Sequence, residues 1–162
     1  MSTPNIPDSP RAAAAAHRSD TDIRDVVRAF YEPFRIGDTT VYDGLLAKDW
    51  LGVPLAPGQV QGPAGMAAEI ALFRRAMPDY AVTHEDLLID GDRVAVPNTV
   101  SGTHQGAFLG HQPTGRRIEM RTMDMHLVRD HRIVVTWHLE DSAGLLAQLS
   151  VASDEPVRRA WS

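Results

Sequence analysis

The last strand-like run of the chain ends in side chains that could perform acid/base chemistry. Residues 132–141 alternate between apolar and polar types, and the apolar set, which includes Trp137 and Leu139, ends at Asp141. Because strand side chains point alternately to opposite faces, we expect Asp141 to face the core beside Trp137. Burial raises the pKa of a carboxyl group, which suits it to exchange protons near neutral pH. The pattern predicts a small-molecule pocket with Asp141 as its catalytic group and Trp137 as a flat wall.

Asp141 also has a purely structural interpretation. It precedes Ser142 and a helical pattern, and aspartate at that position is a good N-cap. From spacing alone, the cap and the catalytic role carry about equal weight.

The preceding strand supplies further polar candidates. If Asp130-His131 is a two-residue turn, the strands pair from Arg129 and Arg132 outward, and directly opposed residues share a face. Asp124 and His126 would then look into the same cavity as Trp137 and Asp141, His126 as a second catalytic proton carrier and Asp124 as a substrate contact. The predicted pairs are His126 with Val135, Asp124 with Trp137, and Met120 with Asp141.

The register of this hairpin has an alternative. A three-residue turn would reverse the phase and point Met123, Met125 and Leu127 inward. Asp130 tolerates a positive φ and His131 does so less readily, so the two-residue turn is favoured but the other stays open. Outside a site, His126 would be an ordinary core or surface histidine, and Asp124 could pair with a strand cation such as Arg121.

The rest of the chain must supply the walls of this pocket. Apolar spacing predicts helices followed by four long antiparallel strands, an α+β arrangement in which N-terminal helices close a cone-shaped, curved antiparallel sheet. The predicted helices are Asp20 to Ile36, Thr39 to Lys48, one from Gly62-Pro63 to Pro78-Asp79, and Ser142 to Ser150. The predicted strands are Tyr80 to Ile89, Arg93 to Gln105, Arg116 to Arg129, and Arg132 to Asp141, with an irregular loop over Leu51 to Gly62.

Several core residues are also assigned to the substrate-binding wall, although packing is their commoner role. They are Tyr31, Trp50, Phe73 and Met120.

Length and composition limit the classes of function. The 162 residues suit one domain, expected over residues 19–150 between a disordered leader (1–18) and a flexible tail (151–162). A net charge of −5 argues against a nucleic-acid partner, and no run is long enough to cross a membrane. A cationic region before the alanine run at 12–16 is lacking, so we expect a cytoplasmic protein. Cysteine is absent, and His104 and His111 lack a clear third ligand, so no metal is expected.

Two segments resemble a known family. Residues 101–110 (SGTHQGAFLG) and 113–116 (PTGR) are similar to the GTHxGxxxGxxPTGR run of SnoaL-like polyketide (ester) cyclases. Residues 132–134, Trp137, Asp141 and 145–149 (LLAQL) resemble the family's GKIxExWxxxDxxxLLxQLG ending. The similarity covers about residues 19–149.

The resemblance implies a fold, a partner and a reaction. The fold would be the nuclear transport factor two-like cone, usually a homodimer. The reaction would be an intramolecular aldol cyclisation of a small hydrophobic, polyketide-like ester, without metal or cofactor. Asp141 would be the acid/base, His126 would line the site, and His104, which belongs to the family's loop motif, would be a substrate-binding residue.

The chain departs from the family pattern at three places. Pro97-Asn98 stands where many relatives have arginine and tryptophan, Thr136 where glutamate is usual, and His131 where the turn has glycine. A proline within that strand predicts a bulge or an edge.

Two other functions are weighed against a cyclase. An epoxide hydrolase or epoxide-opening cyclase on the same fold would pair Asp124 with Asp141, but it would want arginine where Thr122 stands. A non-catalytic small-molecule-binding protein would leave Asp141 only as a helix cap.

Overall fold

The computed structural model describes residues 20–56 and 58–150, which form an α+β fold with a curved, antiparallel-rich sheet. The predicted leader and tail lie outside the described residues. The elements in chain order are α1 (Asp20–Ile36), α2 (Tyr42–Leu45), β1 (Leu46–Val53), α3 (Pro63–Ala76), β2 (Ala81–His84), β3 (Leu88–Asp90), β4 (Arg93–Thr103), β5 (Arg117–Arg129), β6 (Arg132–Glu140) and α4 (Ser142–Ser150).

The sheet has the strand order β1-β6-β5-β4-β2, with β3 also paired to β4. Every pair is antiparallel except β1 with β6, which is parallel. Hydrogen bonds do not close the sheet, so its inner face forms an open cone covered by helices. The predicted fold class is confirmed.

Helix α1 covers the inner face of the sheet with an apolar stripe. Val27, Phe30 and Tyr31 are buried in the main core. The helix ends at Gly37, whose φ of 81° is unstrained only for glycine and whose N–H donates to the Pro33 carbonyl at 2.8 Å. The predicted bounds of α1 and of α4 are confirmed.

The segment after α1 differs from the prediction. In place of the predicted helix from Thr39 to Lys48, helix α2 is a single turn. Strand β1 then takes up the last residues of that predicted helix and the first residues of the loop predicted to begin at Leu51. Strand β1 pairs with the edge of β6, more than 80 residues away in the chain. Because those hydrogen bonds come from a distant strand, local apolar spacing does not reveal them.

The predicted strand from Tyr80 to Ile89 is interrupted, giving β2 and β3. Opposite the break lies Pro97, whose carbonyl accepts the Glu85 N–H at 2.9 Å. Proline has no N–H to complete the ladder on that side of β4. The prediction of a bulge or an edge at Pro97 is wrong: β4 lies between β5 and β2, its pairing with β5 keeps one register through Pro97, and the interruption falls in the neighbouring strand instead.

The β5–β6 hairpin has the two-residue turn. Arg129 pairs with Arg132, and Asp130 and His131 have φ values of 49° and 58°. One residue further along, β6 contains a bulge: Val128 pairs with Ile133, but Leu127 pairs with Val135, so Val134 is extra.

The bulge reverses the facing of β6 beyond Ile133, and the predicted inward row is therefore wrong from Val135 onward. Asp124 pairs with His138 instead of Trp137, and His126 with Thr136 instead of Val135. Met120 pairs with Val100 on β4 and does not face Asp141, which follows the last strand residue.

No helix in residues 20–56 and 58–150 is long and apolar enough to cross a membrane.

Candidate active site

A belt of polar side chains crosses the inner face of the cone, and the strand register sets its members side by side. One row runs over β2, β4, β5 and β6, and the next two rows lie on β5 and β6. Tyr31 of α1 closes the belt from above. The rows are His84, Asn98, Thr122 and Glu140; then Asp124 and His138; then His126 and Thr136.

Asp124 is the centre of the belt, with a side chain only 6% exposed. Its Oδ2 accepts hydrogen bonds from the Tyr31 hydroxyl at 2.8 Å and the Asn98 amide at 2.9 Å, and its Oδ1 lies 2.5 Å from His138 Nδ1. Burial alone would raise the pKa of this carboxyl, but the hydrogen bond and charge of His138 outweigh burial and hold the pKa below its usual value. Asp124 is therefore a buried carboxylate that orients its neighbours.

His138 is partly open to solvent, with 39% of its side chain exposed, and Glu140 and His84 of the same belt are also exposed. Burial would lower the pKa of the imidazole, but hydrogen bonds and charge from Asp124 and Glu140 raise it to about 10. Nδ1 faces Asp124, and Nε2 makes a long, solvent-exposed hydrogen bond of 3.4 Å to Glu140 Oε2, so a ligand oxygen can reach Nε2–H only by competing with Glu140. The same bond to His138 lowers the pKa of Glu140, which therefore stays ionised.

His126 lies deeper, behind Tyr31. Its Nε2 is 2.8 Å from the Tyr31 hydroxyl, its Nδ1 is 3.0 Å from the Thr136 hydroxyl, and the ring is fully buried. Burial lowers the pKa of His126 to about 4, so the ring is neutral. Its predicted inward orientation is confirmed, but a substrate would meet His138 first.

Asp141 lies outside the belt. It is exposed, and its Oδ1 accepts the Gly144 N–H at 2.9 Å at the start of α4. The expected inward position is wrong because the bulge shifts the phase and β6 ends at Glu140. The capping geometry is the one the sequence offered as the alternative.

Trp137 also turns away from the cone. It lies on the outer face of the sheet, where the Arg93 guanidinium carbon is 5.3 Å from the ring centroid. The expectation that it walls the pocket with Asp124 is wrong for the same reason of register.

A small apolar pocket adjoins the belt. Met120 and Val100 are paired two residues beyond Thr122 and Asn98 on the same strands, so they form the next inward row. The Phe73 and Tyr80 rings stack over this end at 5.2 Å. The pocket brings together two predicted substrate-binding residues, and its lining includes Phe73, Tyr80, Val100, Phe108, Met120 and Leu145.

Trp50 and His104 hold the surroundings of the site. Trp50 is buried, and its indole N–H donates to the Thr136 hydroxyl at 3.1 Å. The indole ring also packs against Gly52, where an added Cβ would lie 3.1 Å from the ring. His104 is buried in the loop after β4, where its Nδ1 accepts the Thr114 N–H at 3.3 Å.

Glu69 of α3 adds a carboxyl group near the belt. Its Oε2 accepts from the Gln59 amide at 2.6 Å, and burial raises its pKa, while the charges of His138 and Glu140 act on it in opposite directions. It was not among the predicted site residues.

Sequence reasoning missed His138 and Glu140 because the bulge was not foreseen. One signal could have found them: Thr136, His138 and Glu140 alternate as polar residues at the same spacing as Thr122, Asp124 and His126 on the partner strand. Matched polar periods on two adjacent strands indicate a shared polar face. Within residues 20–56 and 58–150, no three His, Cys, Asp or Glu side chains are grouped to hold a metal ion.

A cone whose apolar interior carries one buried polar belt is typical of small-molecule enzymes and binding proteins on this fold. The profile of the SnoaL-like polyketide cyclase family matches residues 24–149, and the chain belongs to that family. A search of curated proteins found no significant match.

Several solved structures are similar to this chain and are consistent with its family. IdmH of Streptomyces antibioticus, described as a candidate polyketide cyclase, is 34% identical with a TM-score of 0.69, over 80% of this chain and 99% of its own. TsrD of Streptomyces laurentii is 26% identical with a TM-score of 0.76, over 83% of this chain and 98% of its own. AclR of Streptomyces galilaeus, described as a candidate hydroxylase, is 24% identical with a TM-score of 0.70, over 85% of this chain and 91% of its own, and shares the fold alone.

Proposed function

We propose that the chain is a cyclase that closes a ring in a small, apolar, polyketide-like ester by intramolecular aldol reaction, using its own side chains and no cofactor. The observation that carries this proposal is the Asp124–His138 pair, in which a buried carboxylate holds a partly exposed, protonated imidazole on the inner face of the cone. Family membership supports the same reaction class.

His138 acts as the electrophilic group in this mechanism. Its Nε2–H donates to a substrate carbonyl oxygen, and the imidazolium stabilises the negative charge that develops there on enolisation. Glu140, whose Oε2 lies next to Nε2 and whose side chain is 32% exposed, accepts the proton from the neighbouring carbon. An ionised carboxylate is a competent base for such an activated carbon acid when a hydrogen-bond donor stabilises the enolate.

The ring then forms without any net gain or loss of protons. The enolate carbon attacks a ketone carbon of the same molecule, one carbon–carbon bond forms, and the ketone oxygen becomes an alkoxide. That alkoxide takes the proton held by Glu140, which restores the carboxylate. The apolar side chains around Met120 and Phe73 enclose only about 10 Å³ in this structure, so they must move apart to hold the folded substrate, and that confinement then supplies proximity.

Replacing His138 by asparagine tests the assignment. We expect turnover of a polyketide-like β-keto ester, and deuterium exchange at its activated carbon, to fall by a factor of about 100 or more because the charged donor is lost. His131→Asn is the matched control, since His131 is exposed in the turn of the same hairpin and asparagine tolerates its positive φ. A His138→Asn enzyme within a few-fold of the control in both assays would refute the role of His138.

The pH profile is a second readout of the same pair. Glu140 is ionised above a lowered pKa and His138 is protonated below about 10, so kcat/KM should be flat through neutral pH and fall above about pH 10. A profile that instead rises through pH 6 to 8 would mean that neutral imidazole is the active form.

The alternative epoxide chemistry gains no support from the geometry. It needs Asp124 and Asp141 in one pocket, whereas Asp124 is buried in the belt and Asp141 is exposed at the cap of α4. Ligand binding without turnover by the unmodified protein would favour the non-catalytic binding alternative.

A further inference from the structure

The hydrogen bonds behind Asp124 form a continuous chain through four side chains. Trp50 Nε1 lies 3.1 Å from Thr136 Oγ1, which lies 3.0 Å from His126 Nδ1. His126 Nε2 lies 2.8 Å from the Tyr31 oxygen, which lies 2.8 Å from Asp124 Oδ2. The members are buried, so water does not replace a missing partner.

The two ends of this chain fix its direction. Indole N–H can only donate and a carboxylate can only accept. Tyr31 has one hydroxyl hydrogen, and the charged Asp124 is the stronger acceptor. His126 must therefore donate from Nε2 to Tyr31 and leave Nδ1 bare, and Thr136, which accepts from Trp50, donates to that Nδ1.

We propose that Thr136 is a positioning residue for the reaction: its hydroxyl fixes the tautomer of His126, which commits the Tyr31 hydroxyl to Asp124 and thereby orients the Asp124–His138 pair. The catalytic part of this inference rests on the proposed function, whereas the tautomer and the chain direction do not.

The same arrangement assigns His126 a role distinct from proton transfer to substrate. Its neutral ring, T-shaped against Phe30 at 5.0 Å, has both nitrogens occupied by Tyr31 and Thr136. The titratable groups that interact with Asp124 from the surrounding elements are Tyr31, Tyr80, His126, His138 and Glu140. His84 acts on His126, and Glu69 interacts with His138 and Glu140. Thr136 acts on them only through His126.

Thr136→Val and Thr136→Ser form the test, because valine matches the shape of threonine and lacks the hydroxyl while serine keeps it. Nitrogen-15 NMR of the unmodified protein should show His126 as the Nε2–H tautomer. In Thr136→Val the Nδ1 resonance should shift as its donor is lost, and the Asp124 carboxyl pKa should rise as Tyr31 donates to it less firmly. Thr136→Ser should restore both signals.

The catalytic activity of the two Thr136 variants is a second, independent measurement. Thr136→Val should lose roughly fivefold in kcat/KM, the equivalent of about 1 kcal/mol for one hydrogen bond, with Thr136→Ser close to the unmodified enzyme. An Nδ1–H tautomer in the unmodified protein, or valine and serine variants with the same His126 signals and the same Asp124 pKa, would overturn the proposal. The NMR results need no substrate, so they decide the chain even if no polyketide-like ester is turned over.

Should Thr136→Val fail to fold, Trp50→Phe gives the second measurement. It removes the first donor and leaves the Thr136 hydroxyl, so His126 should keep its Nε2–H tautomer. A change of tautomer in that variant would show that Trp50, and not the Thr136 hydroxyl, fixes the tautomer, and would overturn the role assigned to Thr136.

Discussion

At Asp124 and His138, burial and pairing act on the same groups in opposite directions. Burial favours the neutral form of each, yet the two charges lie 2.5 Å apart and stabilise each other. Removing one member of such a pair lowers the free energy of unfolding strongly, because the other charge stays buried without a partner. This is why substitutions at His138 are best judged beside a folding measurement.

The two histidines predict how stability depends on pH. His126 has a folded pKa of about 4 against 6.5 for an ordinary histidine, so the unfolded chain binds the extra proton and stability falls as pH drops from about 6.5 to 4. His138 has a folded pKa of about 10, so the folded protein holds the extra proton and its stability falls as pH rises from about 6.5 to 10. Urea midpoints should therefore be highest near neutral pH.

Single variants should separate the fall in stability below pH 6.5 (the acid limb) from the fall above it (the alkaline limb). His126→Asn should remove most of the acid limb and keep the alkaline one. His138→Asn should remove most of the alkaline limb and keep the acid one. An alkaline limb of unchanged slope in His138→Asn would show that its pKa is not raised by Asp124 and Glu140.

At the scale of the elements, Asp141 ends β6 and begins α4. Asp141→Ala should lower the free energy of unfolding by about 1 kcal/mol, because the hydrogen bond to the Gly144 N–H is lost. Asp141→Asn is the matched control, since asparagine caps as well as aspartate. Urea denaturation measures both.

The same two variants also test the role that the family resemblance implies for Asp141. If Asp141 were the acid/base group, Asp141→Asn would keep its stability and lose turnover. If it is only a cap, Asp141→Asn should match the unmodified enzyme in both properties.

The elements that sequence reasoning predicted correctly are those determined by short-range signals. The stripe of Val27, Phe30 and Tyr31 defines α1, Gly37 ends it, and Asp130-His131 forms the tight turn. These features depend on spacing and on allowed φ values within a few residues. The two-residue turn at Asp130-His131 also gave the correct prediction that Asp124 and His126 lie on the inner face.

The elements that were missed depend on distant partners. Strand β1 exists because β6 offers a free edge, and the bulge at Val134 shows only in the pairing of β6 with β5. Alternation along β6 alone favoured the wrong face because both sides of the strand carry apolar residues: Ile133 faces inward and Val135 and Trp137 face outward. The polar belt therefore contains Asp124 and His126 as predicted for the inner face, with His138 and Glu140 in place of Trp137 and Asp141.

At the scale of the whole molecule, the outer face of the sheet presents two adjacent apolar rows. The register aligns Leu88, Ala95, Met125 and Trp137 across β3 to β6, and places Pro97, Met123 and Leu139 in the adjacent row. Leu88, Met123 and Leu139 are 65%, 48% and 72% exposed. Exposed apolar rows of this kind mark association surfaces, and we propose that a second copy of the chain covers them.

Leu139→Asp tests this homodimer. A charge at Leu139, the most exposed of these apolar side chains, should convert the dimer to a monomer in sedimentation equilibrium at micromolar concentration, because it cannot be buried unpaired. Leu72→Asp is the control that should leave the dimer intact, because Leu72 is 44% exposed on α3, away from the outer face of the sheet. An unmodified chain that sediments as a monomer would contradict the proposal.

The bulge at Val134 has a consequence for how this molecule can change over generations. One extra residue decides whether Thr136, His138 and Glu140 or Val135, Trp137 and Leu139 look into the cone. Loss of a single codon there would exchange the chemical lining of the cavity with the outer surface of the molecule in one event. For such a hairpin, insertion and deletion are routes to a new reaction that no stepwise series of point substitutions follows.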